Sequence, residues 1–441
     1  MSLQSPEAVG PVSAAAAHQR NFSRTLKVTA VLVLMLLALV TLLVIGVDVG
    51  PVALATGLVL AAVPAPLYVL VALRVDRFEP EPVRALLWTF FWGASAATFI
   101  ALLLNTAGQA IVGHNFGSHV GEIYGGSVSA PIVEESAKGA VLFAIYRWRR
   151  AELDGILDGI VYAAMVGLGF AMTENILYYG HAAAKGGVPL AATFFFRGVL
   201  SPFTHPIFTS MTGIGLGIAA QSTRRSVRLL APAAGLLAAM ALHSLWNTSA
   251  GVGGGAAFFG VYFLIMVPVF CALVVVVVMT LRREGRVIAE QLAPEVAGGV
   301  LSAGDVMALA ALHERRRMRK AAKRDGPAAK AVCRAFQETA TDLAFLRSRV
   351  ARGLPVASGS PNADEIAYRA RLRELRPQVG AGALGVSHAA ELRVARVAQL
   401  TAARALPAYG QHPHAAWYAD PWSAARWRWW DGAAWTHHTA D

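Results

Sequence analysis

Apolar runs long enough to cross a membrane recur through the first 281 residues, and basic residues cluster in every second loop between them. A crossing helix needs roughly 20 mostly apolar residues. Eight stretches qualify, at about 28–47, 51–73, 83–107, 121–146, 155–179, 194–221, 229–249 and 256–281. Arg20, Arg24 and Lys27 precede the first, and Arg74 and Arg77 follow the second. Arg147, Arg149 and Arg150 follow the fourth, Arg224, Arg225 and Arg228 the sixth, and Arg282, Arg283 and Arg286 the eighth. The loops near 48, 110–119 and 250–255 have no Lys or Arg, and the one near 185 has a single Lys. Positive charge marks the cytoplasmic side. The pattern predicts an all-α, polytopic membrane helix bundle of about eight transmembrane helices with both termini in the cytoplasm. Residues 28–47 are too long for the apolar core of a cleavable signal peptide, and further spans follow.

Only 15% of the chain is charged and 56% is hydrophobic, against about 25% charged in soluble domains, which excludes an ordinary soluble enzyme. Residues 282–441 hold 24 of the 39 Lys and Arg and 15 of the 27 Asp and Glu, a net of +9; the first 281 residues carry only +3. The expected organisation is a cytoplasmic segment at 1–27, a membrane domain at 28–281, a basic helical and linker tail at 282–410 and a Trp-rich module at 415–441. Helices are expected over 302–350 and 362–376, with linkers at 351–362 and 377–388, where Gly, Ser and Pro gather. Basic runs beside a membrane favour anionic lipid, so the expected partner is the bilayer, and no nucleic acid. Cys271 and Cys333 offer neither a disulfide framework nor zinc-finger spacing.

Ionisable groups near a bilayer centre cost about 2.5–3.5 kcal/mol each on insertion scales, so they need a reason. The first, second and eighth spans are apolar all round and are expected to face lipid. The fourth holds Glu134, Glu135 and Lys138; the fifth Glu174 and Asn175; the sixth His205 and Pro206; the seventh His243 and Asn247. Arg197, Pro202 and Pro206 interrupt the sixth, leaving room for a short surface helix before it. Glu134 lies about 13 residues from the outer end of its span, near mid-membrane at ~1.5 Å per residue. Glu174, His205 and His243 fall in the outer halves of theirs, so all can meet in one cavity open outward. Glu134 and Lys138, like His243 and Asn247, are four residues apart on one helix face.

Three chemistries fit these residues. Glu174, His205 and His243 can hold a divalent metal such as zinc, with an adjacent glutamate as general base. A glutamate and a histidine can activate water without metal, with His243 and Asn247 stabilising the oxyanion. The same groups can relay protons or bind cations in an ion or small-solute transporter, although no internal repeat of the kind transporters show is visible. Singly, the residues have bland accounts: Glu134 or Glu135 with Lys138 as a structural ion pair, a lone His as a packing residue, and Phe170 as core. Charged features on four consecutive spans, with none on the lipid-facing ones, favour a site. A catalytically silent scaffold acting through its tail is the third class.

The motifs resemble those of the PrsW family of intramembrane proteases, within the wider superfamily of CAAX prenyl endopeptidases and bacteriocin-immunity membrane proteases. Glu134, Glu135 and Lys138 match E-E-x-x-K; Phe170, Glu174 and Asn175 match F-x-x-x-E-N. Arg197 eight residues before His205-Pro206 matches the next motif, His243 and Asn247 match H-x-x-x-N, and residues 76–82 look like D-R-[YF]-E-P-E-P. The resemblance covers roughly 50–280. It implies a bacterial multi-pass membrane protein that cleaves membrane-anchored proteins, anti-sigma-factor-like regulators among them, on the outer side of the bilayer. Taken with the first chemistry, it assigns catalysis to Glu134, Glu135 and Asn247, metal ligation to Glu174, His205 and His243, and support to Lys138, Asn175 and Arg197. It leaves metal-bound and glutamate/histidine-activated water both open. The C-terminal residues from Trp417 to Thr436 resemble a short Trp-rich domain frequent in actinobacterial membrane proteins, which implies a small β-rich module that binds a protein partner or a surface.

Overall fold

The computed structural model describes residues 14–75, 77–150, 152–252, 254–356, 360–380, 415–419, 426–430 and 435–440. The chain forms two compact units, one of residues 1–75 and 81–274, the other of residues 76–80 and 275–441. In the first, α1 (Ala14–Val49) and α2 (Pro51–Ala62) are joined through Gly50, whose φ of 85° lies where only glycine avoids a Cβ clash. α3 (Ala65–Ala72) follows, and α4 (Val83–Phe91) runs through a π-helical turn (Trp92–Ala97) into α5 (Thr98–Phe116). α6 (Ser118–Tyr124), a second π turn (Gly125–Ser129) and α7 (Ala130–Trp148) come next, then α8 (Ile156–Lys185). α9 (Gly187–Phe194) leads through the π turn Phe195–Leu200 to α10 (Thr204–Ala220), and α11 (Arg225–Gly251) and α12 (Gly254–Val261) precede a further π turn (Tyr262–Met266) and α13 (Val267–Ala297).

Among the described residues, six helical stretches are long and apolar enough to cross a membrane: Lys27–Val49, Pro51–Ala72, Val83–Phe116, Ile156–Lys185, Arg225–Gly251 and Gly254–Ala297. They coincide with six of the eight expected spans. The other two fall short for a visible reason. The fourth contains Glu122, Glu134, Glu135 and Lys138, and the sixth is broken at 201–203, leaving an α10 of 17 residues. The expected interruption around Pro202 is therefore present, because proline cannot donate within the helix.

α8 is the centre of the bundle: 83% of its most apolar window is buried, against 11, 17 and 6% for the first, second and last stretches and 17% for α11, which also bears His243. Small residues let backbones approach closely in membrane bundles, and α8 depends on this. A Cβ on Gly159 of α8 would lie 2.1 Å from the Gly213 carbonyl oxygen of α10, and one on Gly93 2.1 Å from that of Val166. The low burial of α1, α2 and α12–α13 agrees with lipid-facing spans, yet α1 and α2 are not bare rods. Thr41, Ile45, Ala53 and Ala61 are buried.

The second unit packs the end of α13 with α14 (Ala303–Ala310), α15 (Leu312–Arg324), α16 (Pro327–Ala351) and α17 (Pro361–Leu375). Ile288, Leu292, Leu309, Met318, Phe336, Leu343 and Leu372 form its core, joined by Phe78 from the 76–80 segment. Ser302 caps α14 reciprocally: its Oγ accepts from Asp305 N at 3.1 Å, and its N–H donates to Asp305 Oδ2 at 2.8 Å. Part of the basic run expected to face lipid turns inward. Arg315 is 2% exposed and donates to Thr341 Oγ1 at 2.8 Å and to the Phe78 carbonyl at 3.3 Å. The expected helices at 302–350 and 362–376 are present within one or two residues. Residues 381–388 of the expected second linker lie outside the described residues.

At the C-terminus β1 (Ala416–Ala419), β2 (Trp427–Trp430) and β3 (Trp435–Ala440) form an antiparallel sheet in that order. Trp430 is 2% exposed, and Trp417 meets Trp429 edge-on at 5.5 Å, as aromatics on half-buried strands do. Trp422, Asp420, Pro421, Asp431 and Gly432 of the Trp-rich pattern lie outside the described residues.

Candidate active site

Pro131 sets the local geometry at the head of α7. It has no N–H to give to the carbonyl four residues back, and the π turn of residues 125–129 sits just before it. That carbonyl, of Ser127, accepts from Ser244 Oγ at 2.6 Å, and Gly126 O accepts from Asn247 Nδ2 at 2.9 Å. α11 is thereby pinned to the turn, which places His243 beside the α7 glutamates.

Lys138 is fully buried and central. Its ammonium donates to Glu135 Oε1 at 2.7 Å and to Glu134 Oε2 at 3.4 Å, and lies 2.9 Å from His205 Nδ1. It also sits 4.0 Å above the Phe170 ring, so Phe170 is core and cation support at once. The two glutamates differ in their hold. Glu135 has both oxygens engaged: Oε1 with Lys138 and His243 Nδ1 (3.1 Å), Oε2 with Thr209 Oγ1 (2.9 Å). Glu134 is held only loosely, by Asn105 Nδ2 at 3.5 Å, Lys138 at 3.4 Å and His243 Nε2 at 3.8 Å.

The partners assign the histidine tautomers, since an ionised carboxylate only accepts. His205 Nε2 lies 2.8 Å from Glu174 Oε2, so Nε2–H donates there and the bare Nδ1 faces Lys138. His243 Nδ1 donates to Glu135 Oε1, which leaves its bare Nε2 toward Glu134. Glu174 is also bonded by Arg197, whose Nε donates to Asn175 Oδ1 at 2.6 Å. The Tyr178 ring lies 3.8 Å from the guanidinium, and Phe208 stacks on His243 at 5.0 Å.

Glu134, Glu135, Lys138, Glu174, His205 and His243 are thus one connected cluster, with Asn175 and Arg197 bonded to its Glu174 side. Asn247 stands apart, its amide spent in part on Gly126. Among the described residues, Glu134, His205 and His243 are the group able to hold a metal ion, with donor atoms within 4.8 Å of one another and all three residues buried. The sequence-based trio named Glu174 in place of Glu134. In the structure Glu174 lies behind His205, and Glu135 lies behind His243. The donor set of two imidazoles and a carboxylate fits a divalent ion, and the charge agrees: among the described residues the three carboxylates face Lys138 and Arg197 as permanent cations. An ion would have to take His205 Nδ1 from Lys138.

Sequence reasoning passed over Asn105, Ser129, Thr209 and Ser244. Two signals were available. Asn105 is a lone amide in an apolar stretch, and Thr209 follows His205 by one helical turn.

A helical bundle with a buried Glu/His/Lys cluster defines a multi-pass membrane protein with an intramembrane polar site. Residues 81–273, which include every site residue named above, match the sequence model of the PrsW family intramembrane metalloprotease. Among curated relatives, Protease PrsW of Bacillus subtilis (strain 168) is 34% identical over 143 residues, 32% of this chain and 59% of the relative. That of Geobacillus kaustophilus (strain HTA426) is 33% identical over 145 residues, covering 32% and 57%. That of Clostridioides difficile (strain 630) is 30% identical over 138 residues, covering 31% and 55%. The chain therefore spans less than two thirds of the length of the curated relatives it matches. No solved structure matches it.

Proposed function

We propose that this chain is an intramembrane endopeptidase that hydrolyses peptide bonds of membrane-anchored proteins, anti-sigma-factor-like regulators among them, on the outer side of the bilayer. The observation that carries the reading is the convergence of Glu134 with the two bare imidazole nitrogens of His205 and His243 inside a match to a protease family. Glu134, His205 and His243 would hold the metal, read as zinc from the donor types. Bound there, zinc would polarise the scissile carbonyl and make a bound water more acidic. The chain's own groups do the rest. Glu174 and Glu135 fix the two ring orientations by accepting Nε2–H of His205 and Nδ1–H of His243, the arrangement that orients histidine ligands elsewhere. Lys138 neutralises carboxylate charge within a buried site. Asn247 Nδ2 keeps one hydrogen beyond its bond to Gly126 and can offer it to a developing oxyanion. Without metal, Glu134 is still the carboxylate free to take a proton from water.

Metal content of the purified chain, measured beside cleavage of a membrane-anchored substrate in vesicles, tests the proposal. Zinc near one per chain is expected, and loss of both zinc and cleavage in His205→Ala and His243→Ala. Cleavage retained in both variants would overturn the reading.

A further inference from the structure

A cavity of about 570 Å³ opens on the side of the bundle between α1, α2, α4 and α8. Leu34, Leu42, Leu58, Trp88 and Ile176 contribute to its walls, and Arg84 is the one charged residue lining it. Lys27 precedes the lining residue Val31 by four positions and so stands on the same face of α1. Among the described residues neither Lys27 nor Arg84 has an ion-pair partner, and both are exposed. Arg84 thus puts an exposed cation on a greasy slot, and Lys27 stands one turn of α1 before that slot begins.

Its dimensions select an occupant. From Val31 to Leu42 the slot follows α1 for eleven residues, about 16 Å at 1.5 Å per residue. One leaflet's share of a ~30 Å hydrocarbon core is about 15 Å. The length suits a single acyl chain, and the walls are apolar along it. Lys27 and Arg84 both stand at ends of spans that the basic-loop pattern places on the cytoplasmic side, where anionic lipids are concentrated.

We propose that this cavity binds one anionic phospholipid of the cytoplasmic leaflet, with an acyl chain along α1 and its phosphate between Lys27 and Arg84. The far end of the chain rests near Ala94 and Thr173, whose Oγ1 donates to the Ala94 carbonyl at 2.7 Å. The next residue along α8 is Glu174. Lipid binding here does not depend on proteolysis.

The full-length chain, purified in detergent, would be loaded with phosphatidylglycerol or phosphatidylcholine and read by native mass spectrometry, with inorganic phosphate as competitor. Retention of phosphatidylglycerol is expected to exceed that of phosphatidylcholine by at least about fivefold, the worth of one interfacial cation. Arg84→Gln should erase most of that preference, and Ala38→Trp, which fills the slot, should lower retention of both lipids. Equal retention of the two lipids, unchanged in Arg84→Gln, would overturn the proposal. So would displacement by inorganic phosphate alone, which would make the site one for a free anion.

Discussion

Glu134 and Glu135 are adjacent in sequence and opposite in circumstance. Glu135 is held on both oxygens, whereas Glu134 has three contacts of 3.4 Å or more. The difference could not be read from the E-E-x-x-K spacing, since either glutamate can reach Lys138 along a helix. It depends on Thr209 and His243 arriving from other helices. The same holds for Glu174, which the sequence offers as a ligand and the structure sets behind His205. A group in that position tunes its histidine, and losing it weakens metal binding about 10–100-fold. Glu174→Gln is therefore expected to retain measurable cleavage, restored in part by added zinc. An assay of cleavage against zinc concentration checks this; no rescue at any concentration would favour Glu174 as a direct ligand.

At the scale of elements, six of the eight expected spans coincide with helices long and apolar enough to cross a membrane among the described residues, and the motif glutamates and histidines on α7, α8, α10 and α11 lie in one connected cluster. What the span pattern could not show was the destination of the 76–80 segment. Phe78 reads there as one aromatic in a loop rich in Pro and Glu, but it is 2% exposed and packs with Phe336 and Leu309. Long-range packing of a single side chain has no periodicity to betray it. Phe78→Ala is expected to destabilise the second unit by about 3–5 kcal/mol, as buried Phe truncations do; faster amide exchange in α16 would show it. The same unit has a pH response. Burial, with Glu338 nearby, pushes the Asp342 carboxyl up to about 6. The folded state then holds a proton that the unfolded state releases, so Asp342 adds stability as pH falls from about 6 toward 4 and loses it as pH rises. Exchange protection of α16 should follow that direction in the full chain, and Asp342→Asn should remove this contribution.

For the whole molecule, the division of labour is testable by where the chain ends. Every site residue lies between 105 and 247, and the second unit contains Phe78 but none of the site. A chain stopped after Gly380 keeps both cores and is expected to insert and cleave like the full chain. One stopped after Arg286 strips the core around Phe78, and is expected to cleave only at reduced membrane abundance. Comparing cleavage per inserted molecule separates the two effects. An inserted but inactive chain ending at Gly380 would give the C-terminal sheet a direct part in the reaction. In the proposed reaction, peptide hydrolysis depends on Glu134 at the meeting point of His205 and His243. The most direct test is cleavage of a membrane-anchored reporter by the wild-type chain and by Glu134→Gln, at matched membrane abundance and with insertion verified. Cleavage by the former and none by the latter is expected. Undiminished cleavage by an inserted Glu134→Gln chain would contradict that dependence.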